Sequence, residues 1–138
     1  MKLTTIFQKY KKEYKLKTKL VFDNLITEDS YGKAFYCTST DTIILKKDPI
    51  SADKVVFLLH EIGHAIQNKR GVLEKFFCVN IDALYALEQE AQNFALKEFY
   101  INYKYIGKRT RKSCLKSKEI YAKFLMVALL EANEILSR

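Results

Sequence analysis

His60, Glu61 and His64 are the only strongly polar side chains in the segment VVFLLHEIGHAI, residues 55–66. Placing them in a run that is otherwise fit for a core needs a reason, because a polar group buried without a partner is costly. The spacing H-E-x-x-H supplies one. Positions i and i+4 lie one above the other on a helix, so His60 and His64 can aim their imidazoles at a single ion. Glu61 sits about 100° further round the same helix. Two imidazoles on a metal with a carboxylate beside them is the arrangement for metal-assisted hydrolysis, in which the carboxylate acts as general base on a water. The competing interpretation, two core histidines beside a surface glutamate, leaves the spacing without a cause.

Two histidines do not complete such a site. Catalytic zinc usually takes three protein ligands and keeps a fourth position open. The chain has only these two histidines, so the third ligand must be a carboxylate or a thiolate. The helix expected next offers Glu88 and Glu90 within LEQEAQNFA. A helical wheel puts Glu88 beside Leu84, Ala91 and Ala95, and Glu90 nearer the rim of the apolar face. Glu88 is the expected ligand, with Glu90 as the alternative, and one Zn2+ per chain is the expected cofactor.

The stretch LLHEIGHAI, followed two dozen residues later by EQEAQNFA, resembles the ImmA/IrrE-type metallopeptidases. Those proteins carry HExxH and then a motif close to E-x-x-A-N-x-F-A. The resemblance covers residues from about 42 to 99. It implies a zincin-like, gluzincin-type fold and zinc held by His60, His64 and Glu88. It also implies a protein substrate, such as a transcriptional repressor of a phage or mobile element. Ala91, Phe94 and Ala95 match the downstream motif, whereas Gln92 stands where Asn or Asp is usual. An acid or amide at that position can hold a metal-bound histidine by its outer nitrogen, and Gln92 would do so with a longer reach. No histidine remains to serve as a second oxyanion donor. A tyrosine is the expected substitute, with none of the nine singled out.

The elements that must position these residues read as one α+β domain over residues 1–138. Ile6, Phe7, Tyr10 and Tyr14 mark an amphipathic helix over 4–14. Stretches 18–26, 33–38 and 42–46 are rich in β-formers and separated by turn residues, which predicts a small antiparallel three-stranded sheet. The third strand is expected at an edge beside the cleft, where an extended substrate could add as a further strand. The helix bearing HExxH should start at Ser51 as cap and stop at Gly71 as left-handed C-cap. Gly63 within it implies a close approach of something to the backbone. The glutamate helix runs from about 80 or 82 to 100, with Leu84, Leu87, Ala91, Phe94, Ala95 and Phe99 on one face. Residues 103–118 form an exposed basic connection, and a last helix over 118–136 packs on the core.

Composition fits a globular chain of 138 residues, 49% hydrophobic, with 24 Lys and Arg against 16 Asp and Glu. The resulting charge of +8 favours acidic partners and could steer the protein to one. Beyond Tyr105 the lysines and arginines of 104–118 lack interleaved aromatics, so nucleic acid is not the expected direct ligand. Cys37, Cys78 and Cys114 are odd in number and widely spaced, which suggests reduced thiols and no disulfide framework. No apolar run has the length of a signal-peptide core or a membrane span, so a soluble, cytoplasmic protein of unspecified oligomeric state is expected. The functional expectation is a zinc endopeptidase acting on a specific intracellular protein. The alternative is a zinc-binding regulatory or protein-interaction module of the same fold with weak catalysis.

Overall fold

The computed structural model describes residues 2–23, 34–45, 50–73, 81–104 and 106. Within them the chain forms helix α1 (Leu3–Glu13), strands β1 (Lys19–Phe22), β2 (Ala34–Cys37) and β3 (Thr42–Leu45), helix α2 (Ala52–Lys69) and helix α3 (Ile81–Glu98). A π-helical turn, Phe99–Tyr103, extends α3. The expected helix over 118–136, nearly all of the basic connection, Cys78 and Cys114 lie outside the described residues. Cys37 is a half-buried free thiol.

The fold is α+β, but the sheet is mixed, with order β1-β3-β2. This corrects the expected antiparallel meander. β2 pairs antiparallel with β3, whereas β1 pairs with β3 in parallel, in the register Lys19 to Thr42 through Phe22 to Leu45. Asp41 supplies the physical reason. It sits in the turn between β2 and β3 with φ at 49°, a left-handed conformation that aspartate tolerates better than most residues. Its carboxylate accepts from the Thr18 hydroxyl at 2.8 Å and from the Tyr36 hydroxyl at 2.6 Å. Its backbone carbonyl accepts from the Lys19 amide at 3.0 Å. One residue therefore holds the starting ends of β1 and β3 side by side, and strands that start together run parallel. The same clamp makes β3 the central strand, so the expectation of β3 as an edge open to substrate is also overturned.

The inner face of the sheet, with Ala34, Tyr36, Ile43 and Leu45, packs on α2. Its outer face carries the exposed Val21 and Phe35 on either side of Ile44. Helix α1 buries Leu3, Ile6, Phe7 and Tyr10 and leaves Lys9 and Lys12 exposed. Tyr10 packs edge-on to Phe94 of α3 and donates to the Glu98 carboxylate at 2.9 Å. Helix α2 starts where Ser51 Oγ accepts from the Lys54 amide at 3.2 Å. It ends at Gly71, whose φ of +75° suits a residue without a Cβ. No helix among the described residues is long and apolar enough to cross a membrane.

Helices α2 and α3 run antiparallel, because successive contacts pair His60 with Gln92, Gly63 with Ala91, and Gln67 with Leu87. Their closest approach is at Gly63. A Cβ built there would lie 3.0 Å from the Ala91 Cα, 3.1 Å from its Cβ and 3.3 Å from its carbonyl oxygen. Two of those three atoms are backbone, so only a shift of a whole helix could relieve the contact. Alanine would gain about 1 kcal/mol in helix propensity, and overpacking would cost about 1–3 kcal/mol. Gly63→Ala is therefore expected to lower unfolding free energy by about 1 kcal/mol in a denaturant titration, and Gly63→Val by more. A Gly63→Ala chain more stable than wild type would contradict this packing.

Candidate metal centre

The close approach brings the third helix's carboxylate to the two histidines. The Glu88 carboxylate lies 3.0 Å from His60 Nε2 through one oxygen and 3.0 Å from His64 Nε2 through the other. The two Nε2 atoms are 3.1 Å apart. His60, His64 and Glu88 thus lie close together and could hold a metal ion. Glu90, the alternative candidate, points elsewhere. It is half exposed and paired with Arg70 at 3.0 Å, so the structure brings Glu88 and not Glu90 to the histidines.

A tetrahedral zinc-sized ion at about 2.0–2.1 Å from each ligand holds its ligand atoms about 3.3 Å apart. The two Nε2 atoms, 3.1 Å apart, stand near that spacing, and each faces a different oxygen of the Glu88 carboxylate at 3.0 Å.

The outer ring nitrogens decide what the inner ones can be. Gln67 Nε2 donates to the Leu87 backbone carbonyl at 2.8 Å, and a carbonyl can only accept. The Gln67 oxygen is therefore the atom that faces His64 Nδ1 at 2.9 Å, so His64 carries its hydrogen on Nδ1. His60 Nδ1 faces Gln92 Oε1 at 2.8 Å. The longer reach of glutamine is sufficient for that contact, although Gln92 Nε2 is buried with no hydrogen-bond partner among the described residues. With its hydrogen on Nδ1, a neutral His64 imidazole would turn its Nε2 lone pair toward the Glu88 carboxylate. Only a cation, either a proton or a metal, makes that arrangement favourable.

The titration behaviour follows. Burial alone would raise the Glu88 carboxyl, but hydrogen bonds from His60 and His64 outweigh it and hold the group well below the usual carboxylate range. Burial would likewise lower His64, yet its hydrogen bond to Glu88 and the charge there push it up to about 9. Glu61, one residue along the helix and only 7% exposed, is raised, chiefly by burial and against the pull of His60 and His64. A carboxyl raised in this way is suited to exchanging protons nearer neutrality.

Sequence reasoning reached His60, Glu61, His64, Glu88 and Gln92, and missed Gln67. Its signal was an amide three residues after His64, continuing an apolar helix face. Among the tyrosines, Tyr10 and Tyr36 have their hydroxyls engaged away from the site, on Glu98 and on Asp41 with Asn68. No family model, curated protein or solved structure matches this chain.

Without metal, the raised His64 stabilises the fold fully below its ordinary value of 6.5, and that contribution is lost as pH rises through about 9. The depressed Glu88 stabilises above its ordinary value of 4.5, and that contribution is lost on acidification. The pair therefore contributes most between pH 4.5 and 6.5. A divalent ion must displace the His64 proton, so its apparent affinity should climb with pH up to about 9. At pH 7, zinc chloride titrated into metal-free protein should release about one proton per ion. Calorimetry in buffers of different ionisation enthalpy measures this directly, and a heat independent of buffer would contradict it.

Proposed function

We propose that this chain is a zinc-dependent endopeptidase of the ImmA/IrrE type. The observation that carries the reading is the convergence of His60 Nε2, His64 Nε2 and the Glu88 carboxylate beside Glu61. Two imidazoles and one carboxylate form a ligand set that suits zinc and leaves one position open. A zinc ion held by His60, His64 and Glu88 would supply Lewis acidity and an acidified water. Glu61 is the proton carrier of the reaction. It accepts the proton of the attacking water and later delivers it to the leaving amine. Burial raises the proton affinity of Glu61, so the carboxyl retains the proton for that second transfer. Gln92 and Gln67 hold the outer nitrogens of the two histidines, which keeps the inner lone pairs aimed at one point.

The resemblance implies a specific intracellular substrate, a repressor of a phage or mobile element. The net charge of +8 fits an acidic partner or one already bound to DNA. One observation favours the second reading, a zinc-binding regulatory module with weak catalysis: His60 is 2% exposed and Glu61 7%, so a substrate would have to enter past His64 and Glu88.

Glu61→Gln separates the two. The substitution should leave one zinc per chain and lower hydrolysis of a mixed fluorogenic peptide library at least about 100-fold. If the variant cleaves as fast as wild type, Glu61 is not the base. If wild type holds zinc and cuts neither the library nor a co-expressed repressor, the regulatory reading stands.

A further inference from the structure

Gln67 is fully buried, and every polar atom of its amide is committed. Its oxygen faces His64 Nδ1 at 2.9 Å, and its nitrogen donates to the Leu87 carbonyl at 2.8 Å and to Glu90 Oε1 at 3.2 Å. Glu90 is held in turn by Arg70 Nη1 at 3.0 Å. The side chain thus spans both site helices. It leaves α2 one turn after His64, takes its orientation from the backbone of α3 one residue before Glu88, and turns its acceptor back on His64. On its other side it lines a cavity of about 240 Å³ with Tyr14, Ile66, Arg70 and Phe94.

We propose that Gln67 is a positioning residue for the metal. It fixes the His64 imidazole as the Nδ1–H tautomer and sets the ring plane, while its packed amide keeps water in the adjoining cavity away from that nitrogen. The proposal rests on the zinc reading and adds to it a role for a residue that touches neither metal nor substrate.

The geometry makes Gln67 better fixed than Gln92, its counterpart on His60. Gln67 has two acceptors for its nitrogen, one of them backbone, so its oxygen cannot turn away. The Gln92 nitrogen has no partner among the described residues, so among them the histidine alone holds that amide in its present sense. His64 should therefore be the more rigid of the two imidazole ligands. Glu90 and Arg70 are supports of second rank, because the Leu87 carbonyl alone orients the amide.

The test is zinc affinity, measured by competition with a chromophoric chelator on the full chain, beside thermal unfolding of the metal-free forms. Gln67→Met fills the same space but offers no comparable acceptor, and should weaken zinc about 10–100-fold. Proton NMR of the zinc-bound form supplies a readout that packing alone would not move: the His64 Nδ1–H should exchange slowly with water in wild type and rapidly in Gln67→Met. Glu90→Ala, which keeps the Leu87 carbonyl as partner of the amide, should bind within about threefold of wild type, well inside the loss expected when such a partner is removed. The proposal is overturned if Gln67→Met binds zinc within that same threefold range, or binds weakly while its His64 Nδ1–H stays protected. If Gln67→Met does not fold, a wild-type His64 Nδ1–H that exchanges freely with water overturns it. A wild-type chain that takes up no zinc would sink the underlying reading as well, and is distinguished by needing no variant to show it.

Discussion

The site depends on two antiparallel helices lying closer than ordinary side chains allow. Gly63 provides the space, and Ala91, 1% exposed, fills it. Glu88 is three residues from Ala91, and His60 and His64 flank Gly63, so the contact fixes the distance over which a carboxylate must reach two imidazoles. A Cβ at Gly63 would press on the Ala91 backbone and strain this contact. The same contact creates the electrostatic difficulty. Three titratable groups are gathered where water is scarce, and their burial is unfavourable unless a cation lies among them. Hydrogen bonds at the outer nitrogens remove the freedom of the rings to turn away, so the inner atoms stay convergent.

The sheet's part in this is positional. Asp41 gathers Thr18, Lys19 and Tyr36, and Tyr36 in turn accepts from Asn68 at 2.9 Å. Asn68 lies one turn beyond His64 on the same helix. A single aspartate therefore sets the strand order and ties the sheet to the end of α2. The opposite flank is held by Lys69, which donates to the carbonyls of Tyr14 and Lys15 at the end of α1 at 2.8 and 2.9 Å. The histidine-bearing turn is thus bracketed by contacts from both sides.

How much of this was legible in the sequence follows the range of the forces involved. Helical periodicity is local, so the bounds of α2, its Ser51 cap and the shared face of His60 and His64 could all be read from residue types. The nearness of Glu88 followed from its place on the apolar face of α3, and Gly63 announced a close neighbour without naming Ala91. Strand direction could not be read, because β-patterning carries no information about which strand is the neighbour. That choice was made by a side-chain clamp and a positive φ at Asp41. Gln67 was passed over because an amide at the end of an apolar run reads as an ordinary boundary, and its meaning depends on the Leu87 carbonyl twenty residues away.

The central claim is that His60, His64 and Glu88 form one metal site. The most direct measurement is metal content by mass spectrometry after reconstitution with zinc and removal of excess, on wild type beside Glu88→Ala and Glu90→Ala. The account predicts about one zinc per wild-type chain, the same for Glu90→Ala, and little for Glu88→Ala. Zinc retained in full by Glu88→Ala, or absent from wild type, would contradict it.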